Sequence, residues 1–206
     1  MKDFSDFLES GIIELYVMQD TTPAQNAEVE EMAQKYPAIR AEIEAVSLAL
    51  EGYAVAGAIT PDPIIKPFLL AVIDYTTRLE NGEPFVTVPE LSASSTIGDY
   101  AQWIDREEIS APEDFEGVFA KIISAVPDQL LTAVVWLKEL APQEVHDDEF
   151  ERFLILEGTC DITIEDEVHS LERGGYLQIP LHKNHFVTVT SSVPCKVLLQ
   201  RVKVAA

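Results

Sequence analysis

Cysteine and histidine are scarce in this chain of 206 residues: there are two of the first and four of the second. Cys160 and Cys195 are too few for a disulfide framework, and the expectation is two free, buried, inert thiols in a reducing compartment. Positive charge is scarce too, with 14 Lys and Arg against 36 Asp and Glu and a net charge of −22. That deficit argues against direct contact with nucleic acid or an anionic membrane surface, both of which need a basic face. It suits a basic protein partner reached by electrostatic steering. No uninterrupted apolar run of about 18 residues exists, so no bilayer-spanning helix is expected. The start, Met1-Lys2-Asp3-Phe4, is acidic and lacks an apolar core region, so no signal peptide and a cytoplasmic location are expected. What is present, 47% apolar and 24% charged residues, is the mix of an ordinary globular protein.

The first eighty residues read as helices. Phe4, Phe7, Leu8, Ile12 and Leu15 follow helical spacing and predict one amphipathic face. Thr22, Pro23 and Gln25 predict a capping box with proline in the first turn. Val29, Met32, Ala33 and Tyr36 form the apolar face of that helix, and Pro37 interrupts it. Ile39, Ile43, Val46, Leu50 and Tyr53 continue as a stripe at spacings of four and three, predicting a third helix. Asp62 and Pro63 open a fourth, with Ile65, Phe68, Leu69, Val72, Ile73 and Leu79 expected inward, and Asn81-Gly82 closes it. Residues 83–112, with Pro84, Pro89 and a serine cluster, read as a linker carrying a short helix over 96–105.

From Val118 the texture changes. Segments 118–123, 131–137, 153–156, 160–164, 176–179, 186–189 and 196–202 are β-branched and aromatic-rich, parted by Gly, Pro, Asp and Ser. This predicts an antiparallel barrel or sandwich, hence an α+β chain: a helical domain over 1–82, a linker over 83–112 and a β-barrel or jelly roll over 113–206.

Three histidines lie beside strand boundaries. Glu144-Val145-His146-Asp147-Asp148-Glu149-Phe150-Glu151 runs toward Gly158, and Gly174 leads through Pro180 to His182 and His185. Here the sequence resembles the cupin superfamily over about residues 115–206. Glu151, six residues and Gly158 fit the end of the first cupin motif, with His146 as its second histidine and Glu144 where the first histidine should stand. Gly174, Pro180 and His185 match the second motif. The resemblance implies a divalent-metal site on His146, Glu151 and His185, with Glu144, Asp147 and His182 as candidate further ligands. Neutral imidazoles and a carboxylate suit zinc foremost, and also iron, manganese or nickel. His146 and Glu151 have opposite strand parity, so a turn or bulge must lie between Asp147 and Phe150; without it Asp147 would face inward instead. His169, among Glu165, Asp166 and Glu167, is expected to be exposed in a hairpin turn.

Residues 10–56 resemble the sigma-binding helical domain of bacterial anti-sigma factors. The resemblance is carried by Leu15-Tyr16-Val17, Thr22-Pro23, the run from Val29 to Tyr36, Pro37, Arg40 and Glu42. Zinc-binding members of that family hold a His and two Cys where this chain has Met32, Tyr36 and Ile39, so packing is expected to replace the metal. The two resemblances together imply a cupin-type anti-sigma factor answering oxidative stress. It would hold an extracytoplasmic-function sigma factor through Leu15, Tyr16, Val29, Met32, Tyr36, Ile39 and Ile43, with the barrel as metal-binding sensor. The acids Glu9, Glu14, Asp20, Glu28, Glu30, Glu31, Glu42, Glu44 and Glu51 fit a basic partner. A metal-dependent cupin enzyme, of dioxygenase or isomerase type, is the alternative, although no general base stands outside the candidate ligands. A metal-free cupin that binds a small ligand or dimerises through its barrel is the third reading.

Overall fold

The computed structural model describes residues 4–204. Met1 to Asp3, part of the leader argument and of the expected helical domain, and Ala205 and Ala206, at the end of the expected barrel, lie outside the described residues. The chain is α+β, with helices first and an antiparallel β domain after them. It divides into two compact units, residues 1–60 and 61–206. That division falls after Thr60 rather than after Gly82, and it groups residues 83–112 with the second unit. Among the described residues no helix is long and apolar enough to cross a membrane.

The first unit holds α1 (Phe4–Leu8), α2 (Ile12–Val17), α3 (Pro23–Lys35) and α4 (Pro37–Ala56). The single N-terminal face expected from spacing is broken in two, because Gly11 takes φ 73°, a left-handed conformation that ends one helix and starts the next. The capping box at Thr22 forms as expected, with Gln25 N 3.3 Å from Thr22 Oγ1 and Thr22 N 2.9 Å from Gln25 Oε1. Tyr36 is extended because the residue before a proline is driven out of the helical region, and this separates α3 from α4. Phe7, Ile12, Ile13, Val29 and Ile39 form a buried cluster, with Tyr16, Met32, Tyr36, Ile43 and Val46 packed against it. Met32, Tyr36 and Ile39 thus fill the α3–α4 crossing with apolar and aromatic atoms.

The second unit opens with α5 (Ile65–Glu80), followed by α6 (Ile97–Ile104) and nine strands: β1 (Val118–Val126), β2 (Leu130–Leu137), β3 (Leu140–Glu144), β4 (Glu149–Glu157), β5 (Cys160–Ile164), β6 (Glu167–Leu171), β7 (Tyr176–Ile179), β8 (His185–Val189) and β9 (Cys195–Lys203). They form sheets of order β1-β2-β9-β4-β7 and β3-β8-β5-β6. β3 and β6 are additions to the expected strands; both are short and carry polar residues, so their apolar pattern is weak. The core between the sheets includes Ile122, Val135, Phe153, Ile155, Ile162, Val187, Val197 and Leu199. The residues alternating with these on β1, β2, β4 and β9 form a second cluster with Val88, Leu91, Tyr100 and Ile104, so the five-stranded sheet is covered on its outer face as well. This explains why 83–112 belongs to the barrel. Gln200, buried on β9, accepts from Leu91 N and donates to the Pro89 carbonyl at 2.8 Å, fixing that segment to the sheet.

α5 packs on β1, with Ala71 and Tyr75 in the inter-sheet core. Its buried face is Ile64, Phe68, Ala71, Tyr75 and Leu79, whereas Ile65, Leu69, Val72 and Ile73, expected inward, are exposed. The helix has two apolar faces, and only the packing partner selects between them. Arg78 holds its C-terminal end, donating to the Ile122 carbonyl of β1 and pairing with Asp74 and Glu83.

Candidate metal centre

At one end of the barrel both sheets contribute charged side chains to a single point. On β4, Glu149, Glu151, Phe153 and Ile155 alternate onto the inner face, and on β9 Cys195, Val197, Leu199 and Arg201 do the same. Glu151 and Arg201 are direct cross-strand partners, so their side chains share that face. On the opposite sheet Glu144 of β3 pairs with His185 of β8. His146 lies in the turn between β3 and β4, which supplies the required reversal of parity and returns its ring toward Glu151.

His185 Nε2 lies 2.9 Å from Glu151 Oε2, and both side chains are almost wholly buried. His146 Nε2 lies 3.5 Å from the same oxygen, and the two imidazole centroids are 5.4 Å apart. His146 Nε2 is buried without a hydrogen-bond partner among the described residues. One donor atom from each of His146, Glu151 and His185 falls within 4.8 Å of the others. Donors on one zinc ion lie about 3–3.5 Å apart, so small side-chain adjustments bring this set onto an ion. A buried imidazole nitrogen without a hydrogen bond, beside a buried carboxylate and a second imidazole, is a donor set that fits a divalent metal.

Arg201 was not singled out by sequence reasoning, yet it pairs with two of the acids at the site. Its Nε donates to Glu151 Oε1 at 2.9 Å and its Nη2 to Glu144 Oε2 at 2.7 Å. Burial alone would raise Glu151, but both imidazoles and the guanidinium outweigh it and hold the carboxyl far below the usual range. Glu144 is pushed up, by burial and then by the charge of Glu151. His146 is raised by its interaction with Glu151, against the effect of burial. The signal that could have found Arg201 is its period-two relation to Val197 and Leu199, an arginine on the inward parity of a core strand.

The candidate further ligands separate. Glu144 is at the site but is held by Arg201, 3.8 Å from His146 Nε2. Asp147 and His182 pair with each other at 3.0 Å, are both exposed, and stand outside the three-residue group. His182 reaches the site only through its backbone, whose N–H donates to the His146 carbonyl at 2.9 Å. His169, expected exposed, is half-buried on β6, apart from the site, with Glu167 3.8 Å away. Cys160 and Cys195 are free and buried as expected.

Beside the charged cluster is a small cavity of about 20 Å³, lined by Ile64, Phe68, Phe153 and Val187 together with Glu144, Glu151 and His185. That is room for about one water-sized occupant. Phe68 also stacks on Arg201, whose Cζ lies 4.6 Å from the ring centroid.

Residues 134–200 match the cupin domain family, and with the two-sheet topology they form a cupin domain. Among curated proteins none matches this chain. Similar solved structures include the cupin domain of Schizosaccharomyces pombe Cnp3, 11% identical, covering 42% of this chain and 65% of that one, with a TM-score of 0.41. The chain thus spans about two-thirds of the Cnp3 domain's length. KdgF from a Halomonas species is 17% identical, covering 48% of this chain and 92% of that one, with a TM-score of 0.41. A predicted oxalate decarboxylase from Thermotoga maritima is 16% identical, covering 42% and 81%, with a TM-score of 0.40.

Proposed function

We propose that this chain is a regulatory binding protein of the anti-sigma type: its helical unit sequesters an extracytoplasmic-function sigma factor in the cytoplasm, and its cupin domain carries a metal site that biases that hold under stress. The observation that carries the reading is the surface of α4. Its first half is buried at Ile39, but Leu48, Leu50, Tyr53 and Val55 in its second half are exposed, Tyr53 by 82% and Val55 by 67%. Glu42, Glu44 and Glu51 stand on the same helix. An apolar anchor with acidic neighbours suits a protein partner whose own surface is basic.

This relocates the contact surface. Val29 and Ile39, expected to touch the partner, are 0% exposed and hold the unit together instead. Tyr16, Met32, Tyr36 and Ile43 are half-buried in the same cluster, and Leu15 alone of the expected set is open. The partner is met by Leu15 and the distal half of α4.

His146, Glu151 and His185 would hold a divalent metal, zinc foremost, which would supply a fixed positive charge and a Lewis acid at the barrel mouth. What favours a sensor over a metal-dependent cupin enzyme is the space directly at the cluster, about 20 Å³, room for an ion or a water. Without its partner the chain pairs with a second copy through the cupin domain.

The test is direct mixing of the purified full chain with the extracytoplasmic-function sigma factors of its own cell. One of them co-elutes at micromolar concentration and low salt. Tyr53→Asp weakens that complex at least about tenfold, as expected for an exposed aromatic anchor, while thermal stability stays within about 0.5 kcal/mol. Separate elution of every pair overturns the reading.

A further inference from the structure

The mechanism assigned to the barrel needs a route out of the ion site. Arg201 has neighbours that belong to different functions: Glu151, a candidate ligand, at 2.9 Å; Glu144 at 2.7 Å and Glu149 at 3.7 Å; and the face of Phe68 on α5, 4.6 Å from the guanidinium carbon. We propose that Arg201 is a positioning residue that ties occupancy of the His146–Glu151–His185 site to the seating of the N-terminal half of α5 on the barrel. This inference rests on the metal reading above and is independent of the identity of the partner.

The physical basis is competition for one carboxylate. In the structure Glu151 gives one oxygen to Arg201 and the other to His185. A divalent ion held by the three ligands draws charge from that carboxylate and repels the guanidinium a few ångströms away. Both effects weaken the Arg201–Glu151 pair. Arg201 keeps Glu144 as partner and shifts toward it, and the stack under Phe68 loosens. Phe68 and Ile64, both at the start of α5, line the cavity beside Glu151 and His185, so this end of the helix rests on the site itself.

The two ends of α5 are held differently. At the C-terminal end Arg78 binds the Ile122 carbonyl on β1, Asp74 and Glu83, none of which touches the ion site. At the N-terminal end Phe68 lies on Arg201 and Ile64 at the cavity, with a hydrogen bond from Ile64 N to Asp62 at 3.1 Å and Ala71 packed in the inter-sheet core. A change at Arg201 therefore loosens residues 64–71 and leaves 75–80 in place. By linkage, anything that loosens that end strengthens ion binding by the same factor.

The experiment is amide hydrogen exchange of the full chain with and without zinc chloride, alongside equilibrium dialysis to read zinc occupancy. In the native protein zinc binds saturably and exchange over 64–71 speeds several-fold, while 75–80 is unchanged. His185→Ala loses both zinc and the response. Arg201→Gln binds zinc and shows no response over 64–71. Phe68→Leu, which keeps an apolar filler and the charge of Arg201, loses the response and binds zinc about fivefold tighter or more. Unchanged or slower exchange over 64–71 on a zinc-loaded chain overturns the coupling and leaves the metal site standing. A response that persists in both Arg201→Gln and Phe68→Leu overturns the route through Arg201. Absence of saturable zinc binding overturns the metal site and the coupling with it.

Discussion

The α3–α4 crossing and the barrel mouth each bring three separated side chains to one point, and they do it with opposite chemistry. At the crossing Met32, Tyr36 and Ile39 pack into an apolar cluster with Val29 and Ile43. At the mouth His146, Glu151 and His185 converge with Glu144 and Arg201, all charged or titratable and mostly buried. Apolar packing is stabilising by itself and offers an ion nothing to bind. A buried charged cluster loses hydration energy that its internal attraction barely offsets, and well-packed apolar residues in its place are often as stable or more so. A fold that seals one junction with hydrocarbon and keeps ionisable groups at the other concentrates stability in the first and responsiveness in the second.

The sharpest way to break this comparison is Ile39→Ala. Ile39 is 0% exposed, and losing its side chain leaves a cavity that costs about 2–5 kcal/mol. In a small helical unit that is enough to melt α2 to α4 in the full chain, as read by hydrogen exchange, and added zinc does not restore them. Rescue by zinc would mean that the crossing is a metal site after all.

Glu151→Gln tests the other junction. It removes the carboxylate that pairs with Arg201 at 2.9 Å and leaves a mostly buried guanidinium with Glu144 at 2.7 Å and Glu149 at 3.7 Å as its remaining anions among the described residues. The expected loss is about 3 kcal/mol, the low end for breaking a buried pair because Glu144 remains, together with loss of bound zinc in dialysis. A variant as stable as the native chain would place the value of the cluster elsewhere than in its ion pairs.

The triad at the mouth was legible through its resemblance to the two cupin motifs; local alternation and one turn account for His146 beside Glu151, but His185 lies 34 residues beyond Glu151 on the opposite sheet. Arg201 was less so: it lies 50 residues beyond Glu151 in sequence, and only the β4–β9 pairing makes them neighbours. α5 was misread for a different reason. Ile65, Leu69, Val72 and Ile73 have helical periodicity as good as that of Ile64, Phe68, Ala71 and Tyr75, and periodicity alone does not choose between two apolar faces. The same applies to α4, where the stripe from Ile39 to Tyr53 continues past the end of its packing partners.

Glycines sharpen the comparison at smaller scale. Gly158 and Gly11 have nearly the same φ, 74° and 73°. A Cβ at Gly158 would stand 2.7 Å from Ser191 Oγ, 3.0 Å from the Pro194 carbonyl and 3.1 Å from Cys195 Cα, whereas at Gly11 nothing lies within 4 Å. Gly11→Ala therefore costs about 1 kcal/mol, for the left-handed conformation alone. Gly158→Ala costs about 1–3 kcal/mol more, since the backbone at the start of β9 must move. Equal melting temperatures for the two variants would show that the end of the barrel yields as easily as a helix junction.

The smallest effect is expected where α5 meets the barrel. The Tyr75 ring is buried in the inter-sheet core with Arg78 5.4 Å above it, but its hydroxyl has no hydrogen-bond partner among the described residues. Tyr75→Phe removes a buried hydroxyl and breaks no bond, so the barrel unit should gain up to about 1 kcal/mol. That would raise its melting temperature by about 2–4 °C. An under-bonded seat makes a helix easier to shift, and the gain in Tyr75→Phe should appear as slower exchange along α5. A lower melting temperature instead would mean that the phenol makes a bond the native fold depends on, and α5 would then have a second polar clamp besides the one at Arg78.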